Sequence, residues 1–169
     1  MSRISEAKSA DCAAKGIEAQ LRVAEESQKE RLRKHALSLR VEAGEIYETW
    51  GDLENAGHSY SKASNLAYQL RNHDLKFRLR VKAIKCLDTG GLYKDTIFDL
   101  LCHGESMLWE GIRSYPIKAR RFLIGVGMQA IDEALQRASE YNLKLNQPMA
   151  IRCLSKYSDA KRVREIEKW

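Results

Sequence analysis

Residues 44–63 read GEIYETWGDLENAGHSYSKA, and this stretch decides the fold. Gly44 and Tyr47 lie three apart on one helical face, Gly51 breaks the pattern, and Ala56, Tyr60 and Ala63 recur at i, i+4 and i+7 on a second helix. The spacing predicts helix, tight turn, helix. Gly44 and Ala56 are small where two antiparallel helices would approach. Tyr47 and Tyr60 fill the gaps beside them with hydroxyls that can reach water or a partner. These residue types answer a packing requirement, so the stretch points to binding.

Outward from this hairpin the composition is helical throughout. The chain has 169 residues, 44% apolar, with only two prolines, Pro116 and Pro148. Ala, Leu, Glu, Lys and Arg dominate, and no run alternates Val, Ile and Thr as a strand would. An all-α single domain over 1–169 is expected, large enough for its own core. No apolar run approaches the roughly 20 residues that span a bilayer, and Met1–Cys12 lacks the apolar centre of a secretory signal. The expectation is a soluble, cytoplasmic protein with no membrane insertion.

The hairpin resembles the tetratricopeptide repeat, a 34-residue helical unit with small and aromatic residues at fixed positions. Gly44, Tyr47, Gly51, Ala56, Tyr60 and Ala63 match that pattern in order. Arg40 stands where the family has Trp, Ala43 replaces its Leu, and Tyr68 replaces its Pro. The match covers roughly a fifth of the chain. It implies antiparallel hairpins stacked as a short right-handed α-α superhelix of six to seven helices, with the first helix of each hairpin lining a groove.

The remaining pattern fills in that array. Residues 1–35 read as one N-terminal helix with a thin stripe of Ile4, Ala7, Ala10, Ala14, Ile17, Leu21, Ala24 and Leu32. The matched hairpin occupies 36–70. A second hairpin is expected over 75–109, turning at Gly90-Gly91, forty residues beyond Gly51. C-terminal helices fill 116–169. One starts at Pro116; another starts at Asn146-Gln147-Pro148 and is open to interruption at Ser158-Asp159. In 75–87, Phe77, Val81 and Ile84 form one apolar stripe and Leu79, Ala83 and Cys86 another, as in a helix sandwiched between neighbours.

Motifs for chemistry are sparse. Cys12, Cys86, Cys102 and Cys153 form no CxxC pair, and His35, His58, His73 and His103 do not sit at ligand spacing, so neither a metal nor a disulfide framework is expected. Cys102 and His103 are adjacent and would point about 100° apart on a helix, which makes Cys102 a small buried residue rather than a nucleophile. Gly125-Val126-Gly127 lacks the strand and third glycine of a phosphate loop and suits close helix packing. No catalytic residue and no cofactor is assigned, and the chain is read as non-enzymatic.

Charge supplies the candidate surface. The net charge is +6. Residues 41–74 hold two basic and six acidic residues, a net of −4, whereas 75–121 hold ten basic and five acidic, a net of +5. The partner-binding candidates are Lys76, Arg78, Arg80, Lys82 and Lys85, with Arg120 and Arg121. The resemblance implies that Arg78, Lys82 or Lys85 faces the groove, where a protein or acidic peptide would be held by charge-assisted hydrogen bonds. The family's carboxylate clamp of Lys and Asn in successive repeats is not found here. The expected function is a helical-repeat adaptor or scaffold, with self-association through its acidic and basic halves as one form and Trp169 as an added anchor. The alternative is nucleic-acid binding, suggested by a pI near 9.2. The acidic hairpin and the poor interleaving of aromatic and basic residues oppose it.

Overall fold

The single helix expected over 1–35 breaks at 21–25, just ahead of a polar start to the next helix, since Glu25 to Arg31 holds no apolar residue. The computed structural model describes residues 3–114, 116–145 and 147–167. It has α1 over Arg3–Gln20, a turn, and α2 over Glu26–Thr49. The first helix of the matched hairpin therefore starts at Glu26, not Ala36. Folding back lets Ala7, Ala10, Ala14 and Ile17 of α1 bury against α2, a gain that a continuous helix would forgo.

The same reversal explains Arg40. Its side chain is fully buried. Its Nε and Nη2 donate to the two carboxylate oxygens of Glu18, at 2.7 and 3.0 Å, and its Nη1 donates to Asp11. A planar guanidinium forked onto one carboxylate and reaching a second ties α1 to α2.

The next two helices are α3, Leu53–Gln69, and α4, His73–Thr89. Each starts on a side-chain cap: Asp52 accepts the amide of Asn55 at 3.2 Å, and Asn72 accepts that of Leu75 at 3.1 Å. Each connection ends its helix in one way. Gly51, Arg71 and Gly91 take φ of 74°, 57° and 74°. The residue after each donates its amide to the carbonyl five back: Asp52 to Tyr47, Asn72 to Ala67 and Leu92 to Leu87. This is the Schellman helix end. The three turns fall twenty residues apart, one helix and one turn per twenty, and Gly91 lies forty beyond Gly51.

The α2–α3 crossing is built as the 44–63 pattern requires. Ala43, Gly44, Tyr47, Ala56, Tyr60 and Ala63 are all buried. A Cβ on Gly44 would lie 2.7 Å from Tyr60 Cε1, so the ring sits on bare backbone. The neighbouring pair, α3 on α4, is closer than the sequence reading foresaw. It buries Leu79, Ala83, Cys86 and Leu87, with Leu87 against Gly57.

The chain divides into two compact units, 1–92 and 93–169. In the second, α5 spans Tyr93–Arg113, α6 Ile117–Glu140 and α7 Gln147–Ile166. The hairpin expected over 75–109 is split by this boundary, because α4 pairs with α3, and α5 pairs with α6. Small residues decide it: Gly104 and Gly111 of α5 face Ile131 and Ile124 of α6, and Gly127 faces Leu108. Gly127 thus serves close packing as expected, whereas Gly125 is exposed. α7 packs chiefly on α5 rather than closing a hairpin with α6. It seats Met149, Cys153 and Ala160, all buried, and runs unbroken through Ser158-Asp159. Asn146 and Trp169 lie outside the described residues. The fold is all-α, with seven helices among the described residues packed in adjacent pairs.

Candidate partner-binding surface

α4 carries five of the seven candidate cations, and α3 divides them. At 100° per residue Leu87 lies within about 20° of both Lys76 and Arg80, so these two share the buried face. Both are buried. The Lys76 ammonium sits 4.7 and 4.5 Å from the ring centres of Tyr68 and Phe77, and its carbonyl accepts the Ser64 hydroxyl at 2.9 Å. Arg80 donates to Ser61 Oγ at 3.0 Å and Asn65 Oδ1 at 2.6 Å. Their stems pad the α3–α4 contact while their heads meet polar groups of α3. Lys76 and Arg80 are packing residues, contrary to their assignment as partner contacts.

Arg78, Lys82 and Lys85, at i, i+4 and i+7, form the outer face and are exposed. Arg78 pairs with Asp74 one turn back at 2.8 Å. Among these cations, Val81 is 53% exposed. The sandwich expected for this helix is therefore met on the Leu79, Ala83 and Cys86 side. On the other side Phe77 and Ile84 are half-buried, with Val81 open.

Lys82 also marks where α4 comes alongside α2. Its ammonium lies 3.9 Å from the Glu45 carboxylate and 4.9 Å from the centre of the Tyr60 ring. The Tyr60 hydroxyl donates to Glu48 at 2.7 Å. Burial, then this bond to a carboxylate, pushes the Tyr60 phenol far up, so it remains a hydrogen-bond donor. Glu42, Glu45 and Glu48 are exposed along α2, which places an acidic ridge beside the basic one.

Arg120 and Arg121 belong to the second unit. Arg120 is half-buried and donates to Glu167 at 2.5 Å and to the Ser114 carbonyl at 3.1 Å. It clamps the first turn of α6 to the end of α7 instead of awaiting a ligand. Arg121 is exposed. Cys102, read as buried, is half-buried, and the fully enclosed thiols are Cys86 and Cys153. Among the described residues no three of His, Cys, Asp and Glu gather as metal ligands, and no helix is long and apolar enough to cross a membrane.

The sequence reading missed a cleft of about 420 Å³ in the first unit, lined by Glu18, Leu21, Arg22, Arg33, Lys62, Asn65, Leu66 and Gln69. Its cations come from three separate segments, so no local motif announces it. No protein-family model, curated protein or solved structure matches this chain.

Proposed function

We propose that this chain is a non-enzymatic protein–protein interaction module, a helical-repeat scaffold of tetratricopeptide type that takes an acidic segment of a partner. The observation that carries the reading is the outer face of α4. Arg78, Lys82 and Lys85 stand exposed in one row around a half-exposed Val81, the composition that suits an acidic chain bearing an apolar residue. Two features favour the repeat assignment: the Gly44–Tyr60 crossing, and the recurrence of one turn geometry every twenty residues. A cytoplasmic setting suits four free thiols. The acidic ridge of α2 beside the basic row also supplies both halves of a charge-complementary contact between copies, and it would repel a long polyanion.

Fluorescence anisotropy with a labelled Asp/Glu-rich peptide carrying one leucine, against a labelled single-stranded oligonucleotide, tests this reading. The peptide should bind. Changing Arg78, Lys82 and Lys85 together to Glu should abolish binding while helicity and melting temperature hold. Peptide binding that survives the reversal refutes the assignment. Tighter oligonucleotide binding, lost on reversal, would transfer the row to nucleic-acid phosphates.

A further inference from the structure

The cleft of the first unit is cationic for a structural reason. α1 ends at Gln20, and the turn that follows brings Leu21 and Arg22 over the early turns of α2 and the second half of α3. There Arg22 meets Arg33 of α2 and Lys62 of α3, with the amides of Asn65 and Gln69 beside them. The single carboxylate in the lining, Glu18, already holds both of its oxygens against Arg40. Asn65 Oδ1 is occupied by Arg80, which leaves the Asn65 amide nitrogen as the group to offer a ligand. The lining is thus rich in donors, with Glu18 and the Asn65 oxygen already engaged.

Two observations mark these cations as incompletely compensated, although Glu26 and Glu30 act on Arg33 and Asp11 and Glu18 act on Lys62. The Nε of Arg33 is buried and has no hydrogen-bond partner among the described residues; such a group carries an unmet desolvation cost. Lys62 is held below the ordinary lysine range, first by burial and then by the charge of Arg40, against the opposing pull of Asp11. An added anion would favour the charged form of Lys62 and add a counter-charge beside the Arg33 guanidinium. The volume, about 420 Å³, is that of a small-molecule site rather than of a lone ion. Leu21 and Leu66 give one part of the wall an apolar surface.

We infer that this cleft binds a phosphate monoester, its phosphoryl group held by Arg22, Arg33 and Lys62 and its carbon body lying on Leu21 and Leu66. A dianion with three acceptor oxygens matches three converging cations better than a carboxylate with two. The site does not involve the outer face of α4, so it stands or falls independently of the acidic-segment reading.

Isothermal titration of the full chain with phenyl phosphate and with benzoate tests it, since the two share a ring and differ in the anion. Phenyl phosphate should bind one to one with Kd near or below about 1 mM, and benzoate at least about tenfold more weakly. Arg33→Gln and, at an exposed side chain that leaves the fold alone, Lys62→Gln should each weaken phenyl phosphate about tenfold. Absence of binding up to about 10 mM, equal affinity for benzoate, or indifference to both variants overturns the inference. A phosphoserine peptide separates the sources of the group. Tighter binding than phenyl phosphate supports the site with a protein-borne phosphate, and equal or weaker binding supports it with a free organic phosphate.

Discussion

Gly44→Ala should destabilise the first unit although alanine is the better helix former, and the size of the effect follows from the Tyr60 ring. A Cβ at position 44 would lie 2.7 Å from Cε1, 2.9 Å from Cδ1 and 3.1 Å from Cζ. Ordinary carbon contacts need about 3.5–4.0 Å, so the ring must move by nearly an ångström. It has nowhere to go: Tyr60 is fully buried and its hydroxyl is anchored to Glu48 at 2.7 Å. Overpacking of this kind costs about 1–3 kcal/mol, and the intrinsic gain of Ala over Gly in a helix interior returns about 1 kcal/mol. Gly16 supplies the control. It is exposed on α1 in the same unit, with nothing within 4 Å of its would-be Cβ. Gly16→Ala should therefore stabilise by the full propensity term, and the two variants should differ by about 1–3 kcal/mol. Urea unfolding followed by far-ultraviolet helicity measures both from one transition. A Tyr60→Ala background should bring Gly44→Ala close to Gly16→Ala. If Gly44→Ala stabilises as much as Gly16→Ala in the native background, the ring does not rest on residue 44 and the crossing is misassigned.

Arg40→Met, which leaves Asp11 and Glu18 facing each other without their shared cation, should lower urea-measured stability by about 3 kcal/mol. That is the low end of the range for breaking a buried pair, because both carboxylates reach solvent. Burial raises the Asp11 carboxyl, but the Lys15 hydrogen bond and the Arg40 charge outweigh it and hold the group below its ordinary value. This contribution is present above the unfolded value near 4 and lost as pH falls through the lower folded value. A thermal melt series should show the first unit weakening below about pH 4, less steeply in Asp11→Asn. Arg71 holds φ at 57° where Gly51 and Gly91 hold 74°, so Arg71→Gly should stabilise by about 0.5–1 kcal/mol in a urea titration. Burial pushes the Cys153 thiol up to about 12 and also raises Cys86. Iodoacetamide mapped by mass spectrometry should thus label exposed Cys12 first, then half-buried Cys102, with Cys86 and Cys153 reacting only on unfolding; early modification of Cys153 would contradict its burial.

The helix pairs were legible where glycine and alanine are spaced against aromatics, and obscure where the evidence was a missing residue. The 44–63 pattern predicted its crossing in kind, with bare Gly44 beneath the Tyr60 ring. The break before α2 falls at 21–25, where Leu21, Val23 and Ala24 are apolar, and the polar run from Glu25 to Arg31 lies almost wholly inside α2. It was overlooked because Leu21, Ala24 and Leu32 extend the α1 stripe at plausible spacing. Polar composition places a joint at 71–74, but not the left-handed turn at Arg71, which is neither glycine nor asparagine. The packing of α5 on α6 depends on Gly104, Gly111 and Gly127, and two of those three lie outside any motif that would single them out.

The candidate surface shows why a charged row on a helix needs its apolar neighbours read with it. Spacing alone groups Lys76 with Arg80 as readily as it groups Arg78 with Lys82 and Lys85. Leu87 separates the two sets, since it lies between Lys76 and Arg80 on the helical wheel and is buried against Gly57. Burial of those two cations concentrates the solvent-facing charge of α4 into one row, sharper than five scattered residues would give. The Arg40 substitution acts in the same direction elsewhere in the unit. An apolar side chain in that place would give α1 no ionic hold; a guanidinium recruits Asp11 and Glu18, and it engages Glu18, the single carboxylate of the cleft lined by Arg22, Arg33 and Lys62. Arg40 is therefore the residue that both fastens the N-terminal helix and engages the carboxylate of the cationic cleft beside it, so Arg40→Met should loosen α1 and weaken phenyl phosphate binding together.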